Sequence, residues 1–129
     1  MEIMYLVDTN IFLEILLSQD RKEPCKTFLD DNIGHISISD FSLHSIGVIL
    51  FKNNKDTIFL EFTKDVIPKV EIITLQKSLY EDLAQDKKAF GLDFDDLYQY
   101  RIAKQRDLKI VTMDKDFEKV KKEIEIVFL

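Results

Sequence analysis

The sequence predicts an α/β fold, a three-layer α/β/α sandwich around a mainly parallel sheet of about five strands. Three observations lead there. Short apolar runs alternate with amphipathic helical stretches along the whole of the 129-residue chain, and that alternation pairs strands in parallel and lays helices on both faces. The first run, Ile3, Met4, Tyr5, Leu6 and Val7, is continuously apolar without helical spacing, as in a strand covered on both sides. Carboxylates also recur where strands should end, with Asp8 after the first and Asp114 after the fourth. Open parallel sheets bind ligands beyond the carboxyl ends of their strands.

Each element follows from local chemistry. Thr9 or Asn10 is suited to cap a helix whose Ile11, Phe12, Ile15 and Leu16 form one apolar stripe. A second helix starts near Arg21 with Pro24 in its first turn, where a missing N–H costs little, and Asp30, Asp31, Asn32 and Gly34 stop it. His35 to Ile38 alternates polar and apolar residues as a short strand. Ser39 or Asp40 caps a third helix carrying Phe41, Leu43, Ile46, Ile49 and Leu50, with Gly47 permitting a close helix contact. A turn at Lys52 to Lys55 leads to a fourth helix from Asp56 that ends before Pro68. Val70 to Ile73 reads as a strand, and Leu75 to Phe90 as a helix closed by Gly91. The next helix begins at Asp93 or Phe94 and carries Leu97, Tyr98, Ile102 and Ala103. Leu108 to Thr112 is the fourth strand, Lys115 to Val120 at most a short helix, and Ile124 to Leu129 a terminal strand.

Hydrophobic residues make up 46% of the chain and charged residues 33%, a composition that supports a core and a solvated surface. One domain over residues 1–129 is expected, burying roughly two thirds of its unfolded surface. The single cysteine, Cys25, has no partner for an intramolecular disulfide and no metal-ligand neighbour. Asp8 comes too early for a signal-peptide core, and no uncharged run approaches the roughly 20 residues of a membrane span, so a cytoplasmic location without a membrane role is expected. A net charge of −6 opposes bulk electrostatic capture of nucleic acid. Arg101, Lys104, Arg106, Lys109, Lys115, Lys119, Lys121 and Lys122 nevertheless make the last third locally cationic, although a solvated helix face is the ordinary reading of any one of them.

The acids carry the chemistry. Singly, each has a structural use: Asp93 can cap a helix with Asp95 and Asp96 in its first turn, and Asp114 can cap the turn before Phe117. Caps do not explain the combination, in which Asp8 follows the first strand, Asp114 follows the fourth, and the helix directly before that fourth strand presents Asp96. Converging carboxylates repel unless a cation intervenes, and an oxygen-only set selects Mg²⁺ or Mn²⁺ over zinc. Such ions activate water and stabilise phosphoryl charge, the chemistry of phosphodiester hydrolysis. No Ser-His-Asp set, Gly-rich phosphate loop or Cys/His zinc spacing competes, and three glycines argue against a nucleotide-cradling loop.

On Val7-Asp8-Thr9-Asn10-Ile11-Phe12, Phe94-Asp95-Asp96-Leu97 with Ala103, and Ile110-Val111-Thr112-Met113-Asp114-Lys115-Asp116-Phe117, the sequence resembles the PIN-domain family, in particular its VapC-type toxin ribonucleases. The resemblance spans essentially the whole chain. It implies a PIN-like fold and a metal-dependent endoribonuclease, the toxin of a type II toxin–antitoxin pair. Its implied partners are an RNA substrate, a small antitoxin whose C-terminal segment occupies the acidic cleft, and a second copy in a homodimer. Asp8, Asp96 and Asp114 fall at the metal-binding positions, with Asp116 accessory, Thr112 hydrogen-bonding nearby and Asn10 holding the loop after the first strand. The family places a further glutamate on the helix that here runs from Ser39 to Leu50, which has none; His44 or Ser45 falls near that position and Asp40 about one turn earlier.

Two further readings compete. A non-catalytic PIN-like module would bind RNA or protein without turnover; the three principal acids favour the nuclease. A phosphoacceptor receiver domain needs an aspartate after a central strand, and Ile72-Ile73-Thr74 offers none. His44, a lone histidine on an apolar helix, is by default a core or interface residue, and serves as a site residue only if imidazole replaces the glutamate at Mn²⁺.

Overall fold

A computed structural model describes residues 4–129, so Ile3 of the first expected strand lies outside the described residues. Five strands, β1 (Tyr5–Val7), β2 (Ile36–Ser39), β3 (Glu71–Ile73), β4 (Lys109–Thr112) and β5 (Ile126–Phe128), form one sheet in the order β3-β2-β1-β4-β5. Every pairing is parallel, with Leu6 opposite Ser37 on one side and Ile110 on the other. Among the described residues the α-helices are α1 (Thr9–Leu16), α2 (Lys22–Asp31), α3 (Asp40–Lys52), α4 (Asp56–Asp65), α5 (Tyr80–Phe90) and α6 (Phe94–Arg106).

Right-handed crossovers decide which helices cover which face. The chain steps outward from β1 to β2 to β3, then returns across the sheet to β4 and β5. That reversal sends α1 to α4 to one face and α5 and α6 to the other. The cores separate accordingly. Val7 and Val111 pack with Ile11, Phe12, Ile46 and Phe62, whereas Leu6 and Ile110 pack with Leu83, Leu97, Ile102 and Phe117. Neighbouring residues of one strand thus face different cores, which is why the first run is apolar throughout.

β2 differs from its expected half-buried character. All four of its residues are buried, Ser37 and Ser39 included, because it lies between β1 and β3 with helices above and below. The helix expected from Leu75 begins later. Leu75 is buried, its N–H donates to the Tyr98 hydroxyl at 3.2 Å, and Gln76 is extended; a 3-10 turn at Lys77–Leu79 then opens α5. Gly91 ends α5 with φ of 69°, a left-handed conformation suited to glycine. A Cβ on Gly47 would lie 3.4 Å from the Phe59 ring, in keeping with the close α3–α4 approach. Cys25 is buried among the apolar residues under α2. Among the described residues, no helix is long and apolar enough to cross a membrane.

Candidate metal centre

The sheet order reverses between β1 and β4, and the residues after both strands lie at that switch point. Asp8 follows β1, its N–H donates to Val111 O at 2.9 Å, and its extended backbone starts α1. Its carboxylate is buried and held from several sides. Oδ1 accepts from Thr9 N–H at 2.8 Å, Oδ2 accepts from Thr112 Oγ1 at 2.8 Å, and Gln99 Nε2 lies 3.5 Å from Oδ1. Burial pushes the Asp8 pKa up, the donors oppose it, and the Asp114 charge adds to the rise.

Thr112, fully buried at the end of β4, organises the junction. Besides donating to Asp8, its hydroxyl oxygen accepts from Asp114 N–H at 2.9 Å and from Asn10 Nδ2 at 3.4 Å. Asn10 Oδ1 accepts from Met113 N–H at 3.3 Å and so ties the loop after β1 to the one after β4. Asp114 caps the 3-10 helix over Lys115–Val120 by accepting from Asp116 N–H at 2.9 Å.

Asp96 enters from the first turn of α6, and carboxylate oxygens of Asp96, Asp114 and Asp116 lie within 4.8 Å of one another. Asp96 is half-buried, and its pKa is pushed from 3.8 to about 7 by burial, then by the charges of Asp114, Asp8, Asp116 and Asp93. Three hard oxygen donors whose negative charges repel one another fit Mg²⁺ or Mn²⁺, and the group contains neither sulfur nor nitrogen.

Over residues 5–123 the sequence matches the family model described as the PIN domain. The chain belongs to the PIN-domain family. Solved structures resemble this PIN domain over most of its length. A toxin–antitoxin complex from Klebsiella pneumoniae is 23% identical with a TM-score of 0.71, over 88% of this chain and 89% of that one. VapBC2 from Rickettsia felis, bound to a DNA fragment from its promoter, is 19% identical at 0.75, over 98% and 99%. VapC20 from Mycobacterium tuberculosis, a sarcin-ricin loop cleaving toxin, is 14% identical at 0.75, over 88% and 92%. At such identities the likeness is one of fold. No curated protein matches the sequence.

The remaining expected site residues are placed differently. Asp8 is outside the 4.8 Å group and acts on it through its charge. Asp93 stands at the N-cap of α6, yet its side chain makes no cap hydrogen bond; instead it raises the Asp96 pKa. Asp95 is exposed in the first turn of α6. Asp40 is engaged elsewhere, accepting from the Tyr98 hydroxyl at 2.6 Å and from Phe41 N–H at 2.9 Å. His44 is exposed in the groove between α3 and α4, beside Gly47, Val48, Phe51 and Phe59, and Ser45 is half-buried on α3. Among the described residues, no group of acids able to hold a metal includes His44 or Asp40.

Two residues of this PIN domain escaped the sequence reading. Ser42, buried on α3, accepts from Gln99 Nε2 at 2.8 Å and from Thr9 Oγ1 at 2.8 Å. Gln99 shares the α6 face of Asp96, three residues away; that spacing was the available signal.

Proposed function

We propose that this PIN domain is a cytoplasmic Mg²⁺- or Mn²⁺-dependent endoribonuclease, the toxin of a type II toxin–antitoxin pair, held by a small antitoxin and acting as a homodimer. The observation that carries the reading is the Asp96, Asp114 and Asp116 group beside Asp8 at the switch point of the sheet. A bound Mg²⁺ or Mn²⁺ would supply an activated water and offset charge on the scissile phosphate. The protein's own residues prepare that place. Thr112 and Thr9 orient Asp8, and the Asp116 amide fixes Asp114. Burial and the neighbouring acids raise the Asp96 pKa, a repulsion that a bound cation would relieve. The Klebsiella toxin–antitoxin complex and the sarcin-ricin loop cleaving VapC20 support the toxin assignment and an RNA substrate. Val48, Phe51 and Leu60, exposed on α3 and α4, offer the apolar surface for pairing of two copies.

Single-stranded RNA incubated with the purified protein, with and without Mn²⁺ and with Asp8→Asn as control, tests this reading. Mn²⁺-dependent cleavage by the wild type alone is expected. RNA that is bound and left intact would identify a non-catalytic module, and equal cleavage by Asp8→Asn would remove Asp8 from the reaction.

A further inference from the structure

Gln99 is 2% exposed and sits on α6 directly behind Asp96. Its Nε2 donates to Ser42 Oγ at 2.8 Å and reaches toward Asp8 Oδ1 at 3.5 Å, while its Oε1 is buried without a hydrogen-bond partner among the described residues. A buried orphan oxygen is costly, and an apolar side chain of similar size would fill the same space without it. Packing therefore does not account for an amide here; what the amide adds is its pair of N–H groups. One is anchored on α3 through Ser42, which Thr9 Oγ1 and Ser39 Oγ also hold, at 2.8 and 3.2 Å. Gln99 thereby bridges α6, α3 and the end of β1, the last of which carries Asp8.

We propose that Gln99 is a positioning residue of the metal centre, clamping the Asp8 carboxylate to Ser42 so that Asp8 stays beside the Asp96, Asp114 and Asp116 group. This rests on the metal-dependent reading above and deepens it. Asp8 has donors on both oxygens, but those from Thr9 and Thr112 come from its own strand end and the adjacent one. Among the described residues, Gln99 alone links its carboxylate to α6, the helix that also brings Asp96. Loss of the clamp therefore loosens Asp8 relative to Asp96. Hydrogen-bond partners behind metal-site carboxylates typically change metal affinity by about 10–100-fold.

Calorimetric titration with MnCl₂, together with melting curves in the presence and absence of the ion, separates this role from a structural one. Wild type, Asp114→Asn, Gln99→Leu, Ser42→Ala and the Gln99→Leu/Ser42→Ala double variant form the set. The expected result is Mn²⁺ uptake by the wild type and none by Asp114→Asn. Affinity should weaken about tenfold in Gln99→Leu and less in Ser42→Ala, with the double variant no worse than Gln99→Leu, because both substitutions break one clamp. Gln99→Leu should keep its metal-free melting temperature, having lost an orphan oxygen. If Gln99→Leu and Ser42→Ala bind Mn²⁺ as tightly as the wild type, the Gln99 role fails while the metal centre stands. If the wild type takes no Mn²⁺, or Asp114→Asn takes it equally well, the metal reading fails and the Gln99 role falls with it.

Discussion

Replacing Asp96 by asparagine should make the metal-free protein more stable and at the same time abolish its response to Mn²⁺. In the folded chain the Asp96 pKa stands near 7 instead of 3.8, through burial and four neighbouring carboxylates. At about 1.4 kcal/mol per pKa unit, that displacement sets a ceiling of about 4 kcal/mol of destabilisation when the group is ionised. Asp96 is only half-buried, and water screens its neighbours, so about 1–2 kcal/mol is the working figure. The sign follows from proton linkage. A raised native pKa means that the folded state holds the proton more tightly, so this contribution to stability is complete below about pH 4 and is lost as pH rises through about 7. Without metal, the wild type should therefore melt lower at pH 8 than at pH 5.5, whereas Asp96→Asn should show less of that decline. At pH 8 the variant should melt about 3–8 °C above the wild type. Adding Mn²⁺ at a hundredfold excess over its Kd should return about 2.7 kcal/mol to the wild type and nothing to the variant. Differential scanning fluorimetry at both pH values, in chelator and in Mn²⁺, gives the comparison. A variant that melts lower than the wild type in chelator at pH 8 would refute the reasoning, since Asp96 would then be stabilised by its surroundings.

Three other outcomes are expected. His44→Ala should cleave RNA and bind Mn²⁺ like the wild type, because the imidazole is exposed in the α3–α4 groove; a lost Mn²⁺ isotherm would return His44 to the site. Phe51→Glu, which charges a ring that is 60% exposed on the same surface, should sediment as a monomer where the wild type sediments as a dimer, and unchanged sedimentation would remove this face from the pairing. Tyr98→Phe strips the hydroxyl that donates to Asp40 and accepts from the buried Leu75 N–H, so the urea midpoint should fall by the equivalent of about 1–3 kcal/mol at unchanged slope. An unaltered midpoint would mean that water satisfies Leu75.

Much of the fold was legible because parallel strands buried on both faces leave an unmistakable apolar run. Tyr5 to Val7 stands in such a run and Ile110 and Val111 form a shorter one, and Asp8 and Asp114 lie beyond their carboxyl ends. Local pattern also located the end of α5 at Gly91 and the start of α6 at Asp93. It failed where a distant group took over a local one. The residues after β3 are extended because Tyr98, from α6, takes the Leu75 N–H that a helix start would have left to solvent. Ser37 read as a polar position of an alternating strand, yet β2 is an interior strand and Ser37 is buried, as is Ser39, the cap of α3.

The same division runs through the candidate site. The sequence alone placed Asp8, Asp96, Asp114 and Asp116 at element ends, since a strand end and a helix start are local events written in adjacent residues. Only the tertiary structure decided which acids meet. Sheet order puts β1 against β4, so Asp114 and Asp116 join Asp96 within 4.8 Å, with Asp8 held just behind them by Thr112. It also decided which polar residues serve elsewhere: Asp40 is taken by Tyr98, His44 faces the α3–α4 groove, and Gln99 turns inward toward Ser42 and Asp8. A side chain's element can be read from its neighbours in the chain, but its hydrogen-bond partner is chosen by which elements pack together, and that choice depends on contacts dozens of residues apart.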